Sequence, residues 1–190
     1  MLRRCASIVL ALSALSFSAY AHCVGKQRWD VKSATDAAAA DIDDDPVDTT
    51  IAQLNRLERP DDLKRNGPRT EGSEQTVYTV EGTLIGYLSE ADHDRHLVLR
   101  SRGKFIVAEL ADPVCVDNSS RFFVQIREAR QTFDDRFRKP NGKVPVEMLD
   151  LRIRMRVTGV GFFDARHNVS SAAENFMELH PVIAIEFLDQ

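Results

Sequence analysis

The stretch Thr76–Glu90, TVYTVEGTLIGYLSE, decides the fold that the sequence predicts. It is rich in Val, Thr, Tyr and Ile, which favour β-strands, and it is longer than an ordinary strand. Gly82 and Gly86 lie inside it, and glycines within a strand are typical of bends or bulges. A long strand bent at glycines suits a small barrel, because that strand must pair in both halves of the barrel.

The residues that follow predict two more strands, one helix and then two further strands. The strands are expected at 95–102, 104–112, 151–163 and 177–188, and the apolar face of the helix comprises Phe122, Ile126, Ala129, Phe133 and Phe137. This β-β-β-α-β-β order predicts a mainly β protein with one helix, folded as a five-stranded OB-like barrel with a short, partly helical N-terminal arm. An α+β sandwich is the alternative.

The first 21 residues predict a secretory signal peptide. Arg3 and Arg4 precede an apolar run from Ile8 to about Ala21, which ends in the A-x-A pattern of residues 19–21. The run is short for a membrane span. We therefore expect a secreted or periplasmic protein, with residues 22–75 as an N-terminal arm and linker and residues 76–190 as the barrel domain.

Charge and length limit the function classes. The 190 residues carry a formal net charge of −4, which argues against nucleic-acid binding driven by bulk charge. After cleavage the chain contains no long apolar stretch, so we expect no stable membrane insertion. The acidic run at residues 41–46 lacks the glycine and glutamate of a calcium loop and is expected to be a solvated linker.

Cleavage after Ala21 would leave two cysteines, Cys23 and Cys115. In an oxidising compartment an even pair favours a disulfide, which would connect the mature N-terminus to the domain. The alternatives are a free Cys23 on a mobile end with a buried Cys115, or a metal site that includes Cys23 and His22.

Two polar clusters occupy the loops that an OB-like barrel would bring to one end. The first comprises Glu90, Asp92, His93, Asp94 and His96, and the second comprises Asp164, Arg166, His167, Glu178 and His180. Imidazoles and carboxylates that converge in this way can hold a divalent metal or perform acid–base catalysis. The spacing matches no specific catalytic motif, and the acidic stretch at 92–94 is equally typical of a solvated hairpin turn.

The chain resembles a family of exported bacterial proteins of unknown activity. The resemblance is carried by a D-x-D-x-H turn at residues 92–96, by a G-F-F-D-x-x-H segment at residues 161–167 and by an E-L-H-P-V segment at residues 178–182. It also includes the residues around Trp29 and the strand that ends near Cys115. This resemblance implies export and kinship, and it implies no particular reaction.

Three functions follow as hypotheses. The first is an exported binding module of unknown ligand, whose binding residues would be Asp92, Asp94, His96, Asp164 and His167. The second is a metal-dependent hydrolase acting on a phosphoester or a saccharide, with His96, His167 and His180 as ligands and Asp94 or Glu178 as the catalytic base. The third is a structural domain of the envelope, in which these polar groups satisfy one another.

Overall fold

The computed structural model describes residue 23, residues 27–165 and residues 172–188 of the chain. The predicted signal peptide and His167 lie outside the described residues. The described part is mainly β, as predicted. Its strands are β1 (Asp43–Thr49), β2 (Thr76–Ser89), β3 (Arg95–Ser101), β4 (Lys104–Leu110), β5 (Glu147–Met148), β6 (Ile153–Phe163) and β7 (Met177–Phe187). Its α-helices are α1 (Trp29–Lys32), α2 (Ile51–Leu54) and α3 (Phe123–Phe137), and 3₁₀ turns occupy Ala37–Asp41 and Ser73–Gln75.

The strands form one mixed sheet whose neighbours are β1-β2-β3-β4-β7-β6. β6, the last strand in this order, also pairs with β2 in the antiparallel direction. The first half of β2 pairs with β6 and its second half pairs with β3, with a register shift between Leu84 and Gly86. The expected bend at the glycines therefore lies where β2 changes partners.

The five long strands and α3 occupy the order that the sequence predicts. Strands β1 and β5 were not predicted. The acidic segment at residues 43–49 was expected to belong to a solvated linker, and that expectation is wrong because the segment pairs with β2 as a parallel strand. The segment remains largely exposed, which explains why its side chains show no apolar alternation.

Two apolar cores lie on opposite faces of the sheet. The larger core contains Leu97, Leu99 and Leu179 and receives Phe133 and Phe137 from α3. In that core the Tyr87 ring meets the Phe133 ring edge-on, with centroids 4.8 Å apart. The smaller core comprises residues of the N-terminal arm, of the sheet, of the segment before α3 and of the first turn of α3: Ala34, Ala39, Ile42, Val77, Ala111, Val116, Phe122, Ile126 and Val160.

The N-terminal arm is joined to the sheet by buried polar contacts as well as by this second core. The Arg28 guanidinium donates to both carboxylate oxygens of Glu74, at 2.8 and 2.5 Å, and both side chains are fully buried. Cys23 and Cys115 form a disulfide with a Cα–Cα distance of 5.4 Å, as one of the sequence alternatives predicts. Trp29 Nε1 donates to the Cys115 carbonyl at 3.2 Å.

Candidate metal centre

A row of ionisable side chains crosses three neighbouring strands. His96 of β3 lies opposite Glu109 of β4 in the antiparallel register. The parallel register of β4 with β7 pairs Ala108 with Leu179, which places Glu109 beside His180. Alternate residues of a strand point to opposite faces, and Leu97, Ala108 and Leu179 face the larger core. The row therefore lies on the other face of the sheet, under the N-terminal arm.

Glu109 stands between the two histidines. Its Oε1 lies 3.0 Å from His96 Nδ1, and its Oε2 lies 3.7 Å from His180 Nδ1. Each histidine also faces a second carboxylate. His96 Nδ1 lies 3.4 Å from Glu90 Oε1, and His180 Nε2 lies 4.0 Å from Asp94 Oδ2.

The β2–β3 turn holds Asp94 in place. Asp94 is buried, and its Oδ1 accepts a hydrogen bond from the Asp112 amide at 2.7 Å. Arg130 of α3 donates to the carbonyls of His93 and Leu110, at 3.0 and 3.2 Å, and so joins the turn to the end of β4. Asp94 Oδ1 is thus engaged by backbone, and its Oδ2 is directed toward His180.

Helix α1 and β6 cover the cluster. The Trp29 ring meets the His180 ring edge-on at 6.4 Å, and Phe162 of β6 lies 5.8 Å from the same imidazole. The Lys32 ammonium lies 5.2 Å from the centre of the Phe162 ring. His180 is completely buried and His96 is 8% exposed. The site is therefore a mostly dry enclosure, in which charges interact more strongly than they do in water.

The cluster contains more negative than positive groups, and its pKa shifts reflect this. Burial opposes the charged form of His96, but hydrogen bonds to Glu109 and Glu90 outweigh it and raise the pKa of the imidazole to about 10. Burial also opposes the charged form of Lys32, but four carboxylates raise its pKa above the ordinary value. These carboxylates belong to Glu109, Glu178, Asp164 and Asp94.

Glu178 is a buried carboxyl at the start of β7. Its burial, and then the negative charges of Glu109 and Asp164, raise its pKa well above the ordinary value. Buried polar atoms nearly always have a hydrogen-bond partner. Among the described residues, however, none donates to Glu178 Oε2 or to Glu109 Oε2. Two carboxylate oxygens of the enclosure thus have unused capacity to accept a proton or a cation.

The side chains form two sets with the composition and spacing of metal ligands. One set is Glu90, His96 and Glu109, and the other is Asp94, Glu109 and His180. Within each set the prospective ligand atoms lie within 4.8 Å of one another. Imidazole and carboxylate ligands bind Zn²⁺ at about 2.0–2.2 Å, so atoms around one ion are at most about 4.2 Å apart. His180 faces Glu109 through Nδ1 and Asp94 through Nε2, so its ring would have to turn for one nitrogen to bind an ion together with both carboxylates.

The site residues predicted from the sequence divide into three groups. His96, His180 and Asp94 lie around Glu109 on a covered sheet face rather than in two loops at an open end. Asp92 lies in neither ligand set, and its Oδ1 accepts from the Asp94 amide at 3.1 Å, as the turn interpretation predicts. His167 lies outside the described residues, so its place in the site stays a prediction.

Asp164 contributes charge to the site but belongs to neither ligand set. It follows β6, and its carbonyl accepts from Arg59 Nη1 at 2.5 Å. Its carboxylate raises the pKa of Lys32 and of Glu178. We therefore place Asp164 at the border of the enclosure.

Glu109 and Lys32 are the site residues that the sequence analysis missed. Glu109 could have been found from the tight turn between β3 and β4. Ser101 pairs with Lys104 across this turn, and counting outward from that pair brings His96 opposite Glu109. Lys32 has no comparable local signal, because it reaches the site through the packing of the arm.

Comparisons with known proteins identify no relative from which a function follows. No family model and no curated protein matches the chain. A solved structure described as "Crystal structure of a putative aspartyl-tRNA synthetase from Leishmania major Friedlin" matches 76% of the chain, with 12% sequence identity and a TM-score of 0.43. The match covers 21% of that protein, so this chain spans about a fifth of its length. A TM-score this low supports no conclusion about fold or function. Within the described residues, no helix is long and apolar enough to cross a membrane.

Proposed function

We propose that this protein is an exported binding module whose ligand is a divalent metal cation. The observation that carries the proposal is the position of Glu109, a buried carboxylate between two histidines, each of which faces a further carboxylate. Mixed nitrogen and oxygen ligands of this kind suit Zn²⁺, Mn²⁺ and Fe²⁺ better than Ca²⁺, which prefers oxygen alone.

The electrostatics of the enclosure support a cation as the ligand. Five carboxylates surround one ammonium and two imidazoles, so negative charge is in excess even when both histidines are protonated. These carboxylates belong to Glu90, Asp94, Glu109, Asp164 and Glu178. Burying unbalanced charge is costly, and a divalent ion bound among these carboxylates would supply positive charge to offset it. A cation held by Asp94, Glu109 and His180 would also use Glu109 Oε2, which accepts from no donor among the described residues.

Export and the OB-like barrel form part of the same proposal. The signal-peptide pattern of residues 1–21 and the Cys23–Cys115 disulfide both favour an oxidising compartment. The pairing of β2 with both β3 and β6 supports a closed five-stranded arrangement of the OB type. In this arrangement the metal centre lies on the outer surface of β3, β4 and β7, and the N-terminal arm separates it from solvent.

Thermal unfolding with defined ions tests the proposal. The chain is stripped with a chelator and then melted with Zn²⁺, Mn²⁺, Ca²⁺ or Mg²⁺. An ion at a hundredfold excess over its dissociation constant adds about 2.7 kcal/mol of stability. For a chain of this size that corresponds to a rise of about 5–10 °C. We expect this rise with Zn²⁺ or Mn²⁺ and a much smaller one with Ca²⁺ and Mg²⁺.

Two variants identify the site. Glu109→Gln keeps the shape of the side chain and removes the charge shared by both ligand sets, so the rise should disappear. His93→Asn is the matched control, because His93 is an exposed imidazole of the same turn that belongs to neither set. Its backbone has a φ of 67°, which asparagine tolerates. A melting temperature that no ion changes would overturn the proposal and favour a structural domain whose polar groups satisfy one another.

A metal-dependent hydrolase is the second candidate, and Glu178 is the observation that favours it. Glu178 is buried two residues before the prospective ligand His180, and its Oε2 accepts no hydrogen bond from any described residue, which suits a group that holds and delivers a proton. The cover formed by Trp29 and Lys32 gives this candidate less support, because a substrate would have to displace it. Release of nitrophenol from a phosphodiester or a glycoside by the metal-loaded chain, and its loss in Glu178→Gln, would establish hydrolysis.

A further inference from the structure

We infer that the centre holds two metal ions bridged by Glu109, an inference that rests on the proposed function. The two ligand sets share Glu109 and no other residue. Each of its carboxylate oxygens faces a different histidine, with Oε1 toward His96 and Oε2 toward His180. A carboxylate that presents one oxygen to each side is the arrangement of a bridging ligand rather than of a chelating one.

One ion cannot use all of these ligands in the geometry that the fold provides. Ligand atoms around a single ion are at most about 4.2 Å apart. Among the described residues, no group of ligand atoms within 4.8 Å of one another contains both histidines. His96 and His180 therefore serve separate positions, one on each side of Glu109. The position beside β3 has Glu90 as its third ligand, and the position beside β7 has Asp94.

Strand geometry fixes the separation of the two positions. β3, β4 and β7 are neighbours in the sheet, and adjacent strands lie about 4.8 Å apart. A ligand on the central strand with one histidine on each flanking strand thus creates two positions about one strand spacing apart. Ions in protein two-metal sites are about 3.5–4 Å apart, which a carboxylate bridge between these positions would allow.

Metal stoichiometry and Mn²⁺ spectroscopy test this inference on the intact chain. After equilibration with Mn²⁺ and removal of free ion, we expect two ions per chain. The electron paramagnetic resonance spectrum should show an exchange-coupled pair, with hyperfine spacing half that of an isolated ion. His96→Gln and His180→Gln should each retain one ion and lose the coupling, whereas His93→Asn should keep the pair.

The outcomes separate the two proposals. A wild-type chain that binds one ion, with an uncoupled spectrum, would overturn the bridged pair and leave the binding function intact. A chain that binds none would overturn both. The wild-type spectrum needs no variant, so the inference stays testable even where a substitution in the enclosure prevents folding. Circular dichroism of each variant identifies such cases.

Discussion

Replacing Arg28 with methionine should destabilise the protein far more than replacing an exposed arginine. The guanidinium donates to both oxygens of Glu74 and to the carbonyls of Gly67, Pro68 and Phe163. Without it, Glu74 keeps two backbone donors, the amides of Thr70 and Phe163, at 2.7 and 2.9 Å. The carboxylate would then be buried without its ion-pair partner.

The expected loss is about 4 kcal/mol, since removing one partner of a buried ion pair costs about 3–5 kcal/mol. In a chain of this length such a loss lowers the melting temperature by about 8–16 °C. The double variant Arg28→Met/Glu74→Leu should recover part of the loss, because it leaves neither charge buried alone. Arg154→Met is the control, because Arg154 is 62% exposed and lies 3.5 Å from its Glu81 partner.

Urea unfolding followed by two signals measures this loss. Circular dichroism reports on the sheet, and the fluorescence of Trp29, the single tryptophan, reports on the N-terminal arm. If the arm is part of the same cooperative unit, the two signals should change together at a lower urea concentration. The reasoning is refuted if Arg28→Met destabilises the chain no more than Arg154→Met does.

Three further predictions concern the disulfide, one glycine and pH. Cys115→Ser opens a loop of 92 residues between Cys23 and Cys115 and should cost about 4–5 kcal/mol, measured by urea unfolding. Gly161→Ala would bring a Cβ within 2.1 Å of the Ser73 carbonyl and should cost about 3 kcal/mol in the same assay. In the metal-free protein the pKa of His96 rises from 6.5 to about 10 on folding. The stability due to His96 should therefore be complete below pH 6.5 and be lost as pH rises to about 10, as unfolding across that range will show.

Controls distinguish these mechanisms from general damage. Gly82→Ala should cost less than Gly161→Ala, because the nearest atom to its Cβ is the flexible end of Ile51, at 3.0 Å. Equal losses at the two glycines would contradict the steric argument. Reduced and oxidised chains with the same unfolding midpoint would contradict the disulfide prediction. His96→Gln should remove the contribution of His96 to the dependence of the unfolding free energy on pH. An unchanged dependence would show that other groups cause it.

Local periodicity predicts most of the sheet, because the long strands have one face in an apolar core. In β6, Met155 and Val157 are buried while Arg154 and Arg156 are exposed, and Arg156 binds Glu81 of the neighbouring strand at 2.6 Å. β1 has no such signal. It is an exposed edge strand held by backbone pairing and by contacts such as Arg121 Nη2 to Asp44 at 2.9 Å. Sequence alone does not predict contacts between residues that are so far apart along the chain.

The candidate site is predictable only in part, for the same reason. His96, His180, Asp94 and Glu178 are identifiable as polar residues at strand ends, and hairpin counting would have added Glu109. Their burial is not predictable locally, because residues that alternate with a core face are expected to face solvent. They are buried because the N-terminal arm, held by Arg28–Glu74 and Cys23–Cys115, packs over that face.

The second core includes residues of the N-terminal arm, so the packed part of the chain begins before residue 76. A fragment starting at residue 76, the barrel boundary that the sequence predicts, would lack β1, α1 and Glu74. It would expose Val77, Val160 and Phe162, all of which are buried in the intact chain. Such a fragment would present an apolar and carboxylate-rich sheet face to water and would be prone to aggregate. The smallest fragment suited to expression therefore begins at or before Cys23. A purification tag should precede Cys23 or follow the C-terminus.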